Sequence, residues 1–307
     1  MKKAFKSLAK SLPFVVLGAV LSCVFGVLAF SFSYNKITSW LDLGSFCTLA
    51  FIFVLLFVIG YAIFVVCRVK HFHIAKIKRN SHFARTASSL CAIVVGFLFL
   101  FDFFRLAVSS YSQTGTFNAW RIIRFILSLP FTAYFVIMTL PSKIRRKKTK
   151  IPKYLRYICS TSAVLWCVFS ILTIYFYKEM TTTNVLKLWQ IILYLAYAIF
   201  FLYETKFELI EPCPKVFMIS GLVSFILSIA FTLSTMISRM LNFIPQENSL
   251  SAVELVCSLV IGVYALSRVH AIPKTMKHVI NNSEREFFSE KFAKDPKVAP
   301  ANEEKSN

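Results

Sequence analysis

Long apolar runs separated by short polar segments dominate the chain. Each run has about 18 to 24 residues, enough for an α-helix rising about 1.5 Å per residue to cross about 30 Å of hydrocarbon. The pattern predicts an all-α integral membrane protein, a bundle of about eight transmembrane helices with no sizeable soluble domain. The predicted spans lie near residues 12–32, 44–67, 87–108, 122–140, 157–177, 185–203, 216–238 and 250–267.

Two of these runs need a further argument. The first follows a short basic N-terminus, as a signal peptide does, but a signal peptide has an apolar core of only about 7–15 residues. We therefore interpret it as a retained span. The fourth is interrupted by Pro130, which membrane helices tolerate when neighbouring groups satisfy the freed carbonyl. Without this span, the predicted orientation of every later helix would reverse.

The distribution of basic residues supports eight spans. The chain has 35 Lys and Arg against 14 Asp and Glu, a formal net charge of +21. The large majority of the basic residues fall in alternate polar segments, and the positive-inside rule places such segments in the cytoplasm. We expect a multi-pass protein of the cell membrane with both ends cytoplasmic. Its basic inner loops should lie against anionic lipid headgroups.

The predicted domain organisation is simple. Residues 1–270 form a single transmembrane domain, and residues 271–307 form a partly disordered cytoplasmic tail. The basic linker 142–156 separates the spans into two groups of four, which show no residue-level similarity. Whether the two groups are a duplication stays open at this stage.

Composition narrows the partners. Hydrophobic residues make up 57% of the chain and charged residues 16%, whereas soluble domains carry roughly a quarter charged residues. No soluble domain is left to bind nucleic acid, so the positive charge predicts lipid contact and no nucleic-acid partner. The eight cysteines mostly fall in apolar runs without a Cys-x-x-Cys pair. They are typical of small apolar helix residues rather than disulfides or zinc ligands.

Small residues recur at four-residue spacing in three spans. Such faces let helix backbones approach closely, which predicts packing seams. The alternative is a path for a polar substrate along the serine face of the seventh span. The residues are Gly18, Ser22 and Gly26 in the first span, Ser220, Ser224 and Ser228 in the seventh, and Ser258 and Gly262 in the eighth.

Charged residues within the predicted outer ends of three spans are the first candidate site. Asp102 and Arg105 share a helix face, as do Arg121 and Arg124, and Glu254 lies at the same predicted end. Charges in a membrane usually face protein or water. If these spans are neighbours, the arginines would hold an anionic solute or a lipid phosphate. Alternatively, Asp102 and Arg105 form a local neutral pair and the other charges reach lipid headgroups.

An acidic stripe is the second candidate site. Glu204, Glu208 and Glu211 follow i, i+4, i+7 spacing and continue the sixth span to Pro212, which ends the helix. The other inner loops are basic. The stripe is predicted to bind those loops, a cation or a protein partner; the alternative is a solvated helix end.

Chemical motifs are missing from the sequence. We find no phosphate-binding P-loop, zinc-protease motif or serine-nucleophile elbow. His71 and His73 lie in a basic loop without a supporting carboxylate, so a solvated role is favoured over metal binding. The sequence predicts no catalytic residue, no metal site and no cofactor.

Three classes of function stay open. The unbroken helices favour a non-enzymatic membrane component, such as a scaffold, accessory subunit or sensor, acting with a protein partner or as a homo-oligomer. A transporter of a small or anionic solute is the alternative, supported by the charges inside the spans. An integral-membrane enzyme acting on lipid is less favoured, because no acid–base pair is evident.

Overall fold

The structure, a computed structural model, describes residues 2–35, 40–68, 82–111, 119–139, 153–176, 184–209, 213–244 and 251–272. Eight helices in these ranges are long and apolar enough to cross a membrane. The predicted all-α, multi-pass bundle is therefore confirmed. The helices are α1 (Lys2–Ser33), α2 (Phe46–Cys67), α3 (His82–Tyr111), α4 (Ala119–Thr139), α5 (Lys153–Tyr175), α6 (Val185–Leu209), α7 (Pro214–Met240) and α8 (Ala252–Ile272).

The ends of the helices differ slightly from the prediction. After α1, Tyr34–Asn35 pairs with Trp40–Leu41 in a short antiparallel hairpin, which is too short for hydropathy to indicate. Helix α8 continues to Ile272, a few residues past its predicted end. The rest of the predicted tail lies outside the described residues. The side that faces the cytoplasm stays a prediction from the charge bias.

Pro130 does not interrupt the fourth span. Helix α4 continues through it, although proline removes one backbone hydrogen bond and frees the carbonyl four residues earlier. Hydroxyl groups in the same stretch bond backbone carbonyls: Ser128 Oγ donates to Phe125 O at 2.6 Å and Thr132 Oγ1 donates to Ser128 O at 2.8 Å. The neighbouring turns stay helical because hydrocarbon offers their backbone groups no other partner.

Helices α6, α7 and α8 are the most buried of the eight, and α8 is hydrogen-bonded to several of the others. The apolar stretches of α6, α7 and α8 are 61%, 72% and 67% buried, against 28% to 39% in α1 to α4. Within α8 only Ala252 is exposed. Four helices contact it, through Cys91 Sγ of α3 to Val260 O (3.5 Å), Tyr134 of α4 to Tyr264 (3.4 Å between hydroxyls), Tyr197 of α6 to Ser258 O, and Ser228 of α7 to Ser258 O (3.2 Å).

Helices from before and after the linker 142–156 pack against each other. Helices α1 and α2 pack against each other and against α7, whereas α3, α4, α5 and α6 pack in sequence order. The helices before the linker therefore do not form a separate four-helix unit.

The small-residue faces are packing seams, as predicted. A Cβ added to Gly18 would lie 2.7 Å from Val58 Cγ2, and one added to Gly26 would lie 2.9 Å from Ser234 Cβ. A Cβ on Gly262 would overlap Ser228. Because nearly all real Cβ contacts are longer, these glycines set the separation of their helices.

Helix α7 contains one turn of π-helix. The turn, Ser228–Leu233, lies between the α-helical segments Pro214–Leu227 and Ser234–Met240. The sequence did not indicate this turn. Its residues are as apolar as the rest of the span, and it contains neither Gly nor Pro, the residues that usually mark a helix irregularity. Single π-turns are frequent at functional sites, and this one begins at Ser228, the residue that packs on Gly262.

Replacing Gly262 with alanine should lower the stability of the bundle by about 1–3 kcal/mol, the usual cost of overpacking. The new methyl group would push α8 away from Ser228. Thermal unfolding of the purified protein in detergent measures the change. Gly60→Ala in α2 is the matched control, because nothing lies within 4 Å of a Cβ there. Equal effects of the two substitutions would contradict close α7–α8 packing at Gly262.

Candidate functional site

Charged side chains are buried at both ends of α8. Ionised groups in a membrane protein interior are costly unless they are paired and hydrogen-bonded. Among the described residues, the buried cationic side chains are as many as the buried anionic ones. They are the cations Arg124, Lys187 and Arg268 and the anions Asp102, Glu204 and Glu254.

At one end, Arg124 of α4 joins two carboxylates from other helices. Its Nη2 donates to both carboxylate oxygens of Asp102 in α3 at 2.9 Å, and its Nη1 donates to Glu254 Oε1 in α8 at 3.0 Å. Arg124 is only 2% exposed. The other oxygen of Glu254 accepts hydrogen bonds from the backbone N and Oγ of Ser251, at the start of α8. We name Asp102, Arg124 and Glu254 the triad.

The triad contains three of the five residues proposed as the outer cluster. Asp102 pairs with Arg124 on the neighbouring helix. Arg124 does not reach out to headgroups, as the alternative interpretation had it, because two carboxylates hold it inside the bundle. The side chains of Arg105 and Arg121 lie outside the described part of the structure. Their contribution, and the binding of a ligand here, stay predictions.

At the other end of α8, Glu204 of α6 pairs with Arg268. Arg268 Nε donates to Glu204 Oε1 at 2.6 Å, and Tyr264 OH donates to the same oxygen at 2.8 Å. Glu204 is 0% exposed and Arg268 is 1% exposed. Tyr134 OH, from α4, lies 3.4 Å from Tyr264 OH. We name this ion pair the Glu204–Arg268 pair.

This pair changes the interpretation of the acidic stripe. Glu204 is inside the bundle, so it is neither a solvated helix end nor part of a partner-binding surface. The spacing predicts that the three glutamates share one helix face, but spacing alone does not say that the Glu204 side chain meets α8. The Glu208 side chain and all of Glu211 lie outside the described residues, where partner binding stays a prediction. Arg268, just past the predicted end of the eighth span, is likewise inside the bundle.

Hydroxyl groups connect α6, α7 and α8 midway between the two ends. Tyr197 OH and Ser228 Oγ both donate to the backbone oxygen of Ser258, the latter at 3.2 Å. Ser258 Oγ in turn donates to Tyr194 OH at 3.4 Å. We name Tyr194, Tyr197, Ser228 and Ser258 the central node. It is completely buried, so these bonds are made away from lipid and solvent.

Polar residues on one face of α6 lie on both sides of the node, with the buried Phe200 and Phe201 between Tyr197 and Glu204. The members of this polar stripe are spaced by three, four or seven residues and therefore share one helix face. Over 17 residues the stripe spans about 26 Å at about 1.5 Å per residue, close to the hydrocarbon thickness. Every member is at most 4% exposed: Lys187, Gln190, Tyr194, Tyr197 and Glu204. We name this stripe, with the node residues of α7 and α8, the polar path.

Sequence reasoning missed most of the polar path. It weighed the serines of α7 and Glu204, but not Lys187, Gln190 or the two tyrosines. The signal was present as polar or hydroxyl-bearing side chains at helical spacing within an apolar run. Lys187, Gln190 and the two tyrosines all fall inside the predicted sixth span, but none was named as a candidate site residue. The Nζ of Lys187 lies 5.7 Å from the ring centre of Tyr175, within the range of a cation–π contact.

Clusters that could hold a metal ion and disulfides are both absent from the described residues. Within the described ranges, no group of three or more His, Cys, Asp and Glu side chains is placed to hold a metal ion. All eight cysteines are thiols, and five of them are buried in the bundle. The groups available for chemistry are thus the ionic groups at the two ends and the hydroxyls and amide between them.

Comparison with known proteins yields no assignment. The chain matches no protein-family model, no curated protein and no solved structure. The triad, the central node and the Glu204–Arg268 pair are the features of the chain that bear on its function.

Proposed function

We propose that this protein is a transporter that moves a small polar solute along the polar path. One observation carries the proposal: buried polar groups of α6 and α8 follow each other from the triad to the Glu204–Arg268 pair. A membrane protein can fill its interior with apolar side chains at no cost in lipid. Buried ionisable and hydroxyl groups that cross the whole interior instead are typical of substrate and ion pathways.

The two ionic groups are placed to close the path at its ends. The triad joins α8 to α3 and α4, whereas the Glu204–Arg268 pair joins α8 to α6. Breaking one of them while the other stays formed would open one end at a time. Such alternation requires only the tilting of intact helices. The π-turn of α7, next to the central node, supplies a segment whose hydrogen bonding differs from that of the flanking helix.

The second candidate is a non-enzymatic membrane component that works with a protein partner or as an oligomer. The pairing of the ionic groups favours it, because hydrogen-bonded charges also join helices without any transport role. The cell membrane is the location proposed for either function, and the charge bias bears on the orientation of the spans within it. Exclusive retention of a fluorescent fusion in internal membranes would contradict that location.

Uptake into vesicles tests transport directly. The purified protein, reconstituted into phospholipid vesicles, is offered radiolabelled glycerol, acetamide, glycine, lactate and phosphate. We expect uptake of at least one of them above that of protein-free vesicles. Tyr194→Phe should reduce this uptake about tenfold, the effect of losing one hydrogen bond of about 1.4 kcal/mol. The control is Tyr154→Phe, on a side chain that is 79% exposed, and it should transport normally.

Two results would count against the proposal. Folded protein that takes up none of the five solutes would overturn transport and leave the non-enzymatic component. Undiminished uptake by Tyr194→Phe would show that the solute does not follow the polar path.

A further inference from the structure

Four buried polar side-chain atoms on α6 and α7 lack a hydrogen-bond partner among the described residues: Glu204 Oε2, Ser238 Oγ, Gln190 Oε1 and Thr232 Oγ1. The last two, Gln190 Oε1 and Thr232 Oγ1, belong to neutral residues that are 3% and 0% exposed. Leaving a buried polar group unsatisfied destabilises the fold, because the group loses its bonds to water and gains none in return. Because native proteins satisfy nearly all such groups, each exception calls for an explanation, such as a ligand or an ordered water.

The two atoms belong to residues at the same depth in the bundle. The preceding residues, Trp189 of α6 and Phe231 of α7, stack with ring centres 4.6 Å apart. Gln190 and Thr232 directly follow these rings along their helices. The stacked pair therefore sets the relative height of α6 and α7, and it places the amide and the hydroxyl in one layer.

This layer lies one turn from the central node, on the side of the triad. Gln190 precedes Tyr194 by four residues, and Thr232 follows Ser228 by four, so each lies over a node residue on its own helix. Ser228 and Thr232 both lie in the π-turn. The wider π-helical turn rotates the Thr232 side chain relative to that of Ser228 by only a fraction of a full turn. In α8, Glu254 occupies the equivalent position before Ser258. Three helices thus bring a polar side chain to the same level.

The chemistry of the layer selects the class of solute. The Gln190 oxygen accepts a hydrogen bond, and the Thr232 hydroxyl can donate or accept one. Both groups are neutral. The carboxylate of Glu254 is already bonded to Arg124 and Ser251, so the layer requires no further charge to balance it.

We infer that Gln190 and Thr232 form a binding subsite for a small uncharged solute that bears hydroxyl or amide groups. This rests on the proposed transport function and specifies its substrate class. The solute would donate an N–H or O–H to Gln190 Oε1 and bond the Thr232 hydroxyl. It would then pass the central node on its way to the Glu204–Arg268 pair.

The test combines transport with stability. Gln190→Met and Thr232→Val keep the size of each side chain and remove the polar atom. Each should reduce uptake of glycerol or acetamide into reconstituted vesicles about tenfold, while Thr232→Ser keeps the hydroxyl and retains uptake. Neither apolar variant should lower the unfolding temperature, because no hydrogen bond within the protein is lost.

Thr173→Val in α5 is the matched control. It makes the same substitution at a residue 4% exposed, whose hydroxyl donates to Phe169 O at 2.7 Å within its own helix. It should leave uptake unchanged and lower the unfolding temperature slightly.

The outcomes separate this inference from the proposed function. Wild-type protein that transports only glycine, lactate or phosphate would overturn the uncharged-solute class and leave transport standing. Wild-type protein that transports none of the five would overturn the proposed function itself. Normal glycerol or acetamide uptake by both apolar variants would overturn the subsite alone. So would a loss of stability larger than that of Thr173→Val, because it would show that these groups bond to the protein, or to water as part of its structure.

Discussion

Arg268→Met is expected to destabilise the protein by about 3–5 kcal/mol, the usual cost of removing one partner of a buried ion pair. The substitution leaves Glu204, which is 0% exposed, without the guanidinium that now lies 2.6 Å from its carboxylate. Methionine fills much of the space of the arginine stem. The loss of stability should therefore come from the missing charge rather than from a cavity. Thermal unfolding of the detergent-purified protein, followed by tryptophan fluorescence, measures it.

The reason for this loss can be checked by a second substitution. Glu204→Gln removes the stranded charge, so the Glu204→Gln/Arg268→Met double variant should be more stable than Arg268→Met alone. Lys206→Met, at an exposed position two residues further along α6, is the control and should stay within about 0.5 kcal/mol of wild type. If Arg268→Met is as harmless as Lys206→Met, the ion pair contributes nothing to stability.

Arg124→Met should be at least as damaging, again by about 3–5 kcal/mol or more. Its loss would leave two buried carboxylates facing each other, where the guanidinium now contacts both. Asp102→Asn should cost clearly less, because Arg124 keeps its bond to Glu254. Unfolding temperature and the yield of folded protein measure both variants. Arg68→Met makes the same change at an exposed position and should be nearly neutral.

Neutralising the stranded carboxylates provides the complementary test. Adding Asp102→Asn and Glu254→Gln to Arg124→Met removes all three charges and should recover part of the lost stability. An unrescued triple variant would mean that the packing of the Arg124 side chain, not its charge, holds α3, α4 and α8 together.

The helices themselves were predictable because lipid acts on each of them separately. A run of about 20 apolar residues inserts as a helix whatever its neighbours are. This is why even α4, with Pro130 inside it, was predicted correctly. The packing role of Gly18, Gly26 and Gly262 was also predictable, since a missing side chain permits close approach wherever a neighbouring helix lies.

Contacts between helices were harder to predict. Helical spacing gives the neighbours of a residue on its own helix, so it paired Asp102 with Arg105 and aligned Glu204 with Glu208. The bonds described here join Arg124 to residues 22 and 130 positions away, and they join Arg268 to a residue 64 positions away. The spacing of residues along a single helix cannot predict contacts between residues so far apart in the sequence.

By itself, the sequence determined the number and approximate limits of the spans, the all-α class and the glycine seams. Each of these depends on one segment and its solvent. The tertiary structure alone decided that α6, α7 and α8 are the most buried helices, that Glu204 and Arg268 are inside the bundle, and that the polar side chains of α6 from Lys187 to Glu204 are buried. The physical reason is that a polar face is costly against lipid and inexpensive against a bonding partner, and the partner comes from elsewhere in the chain.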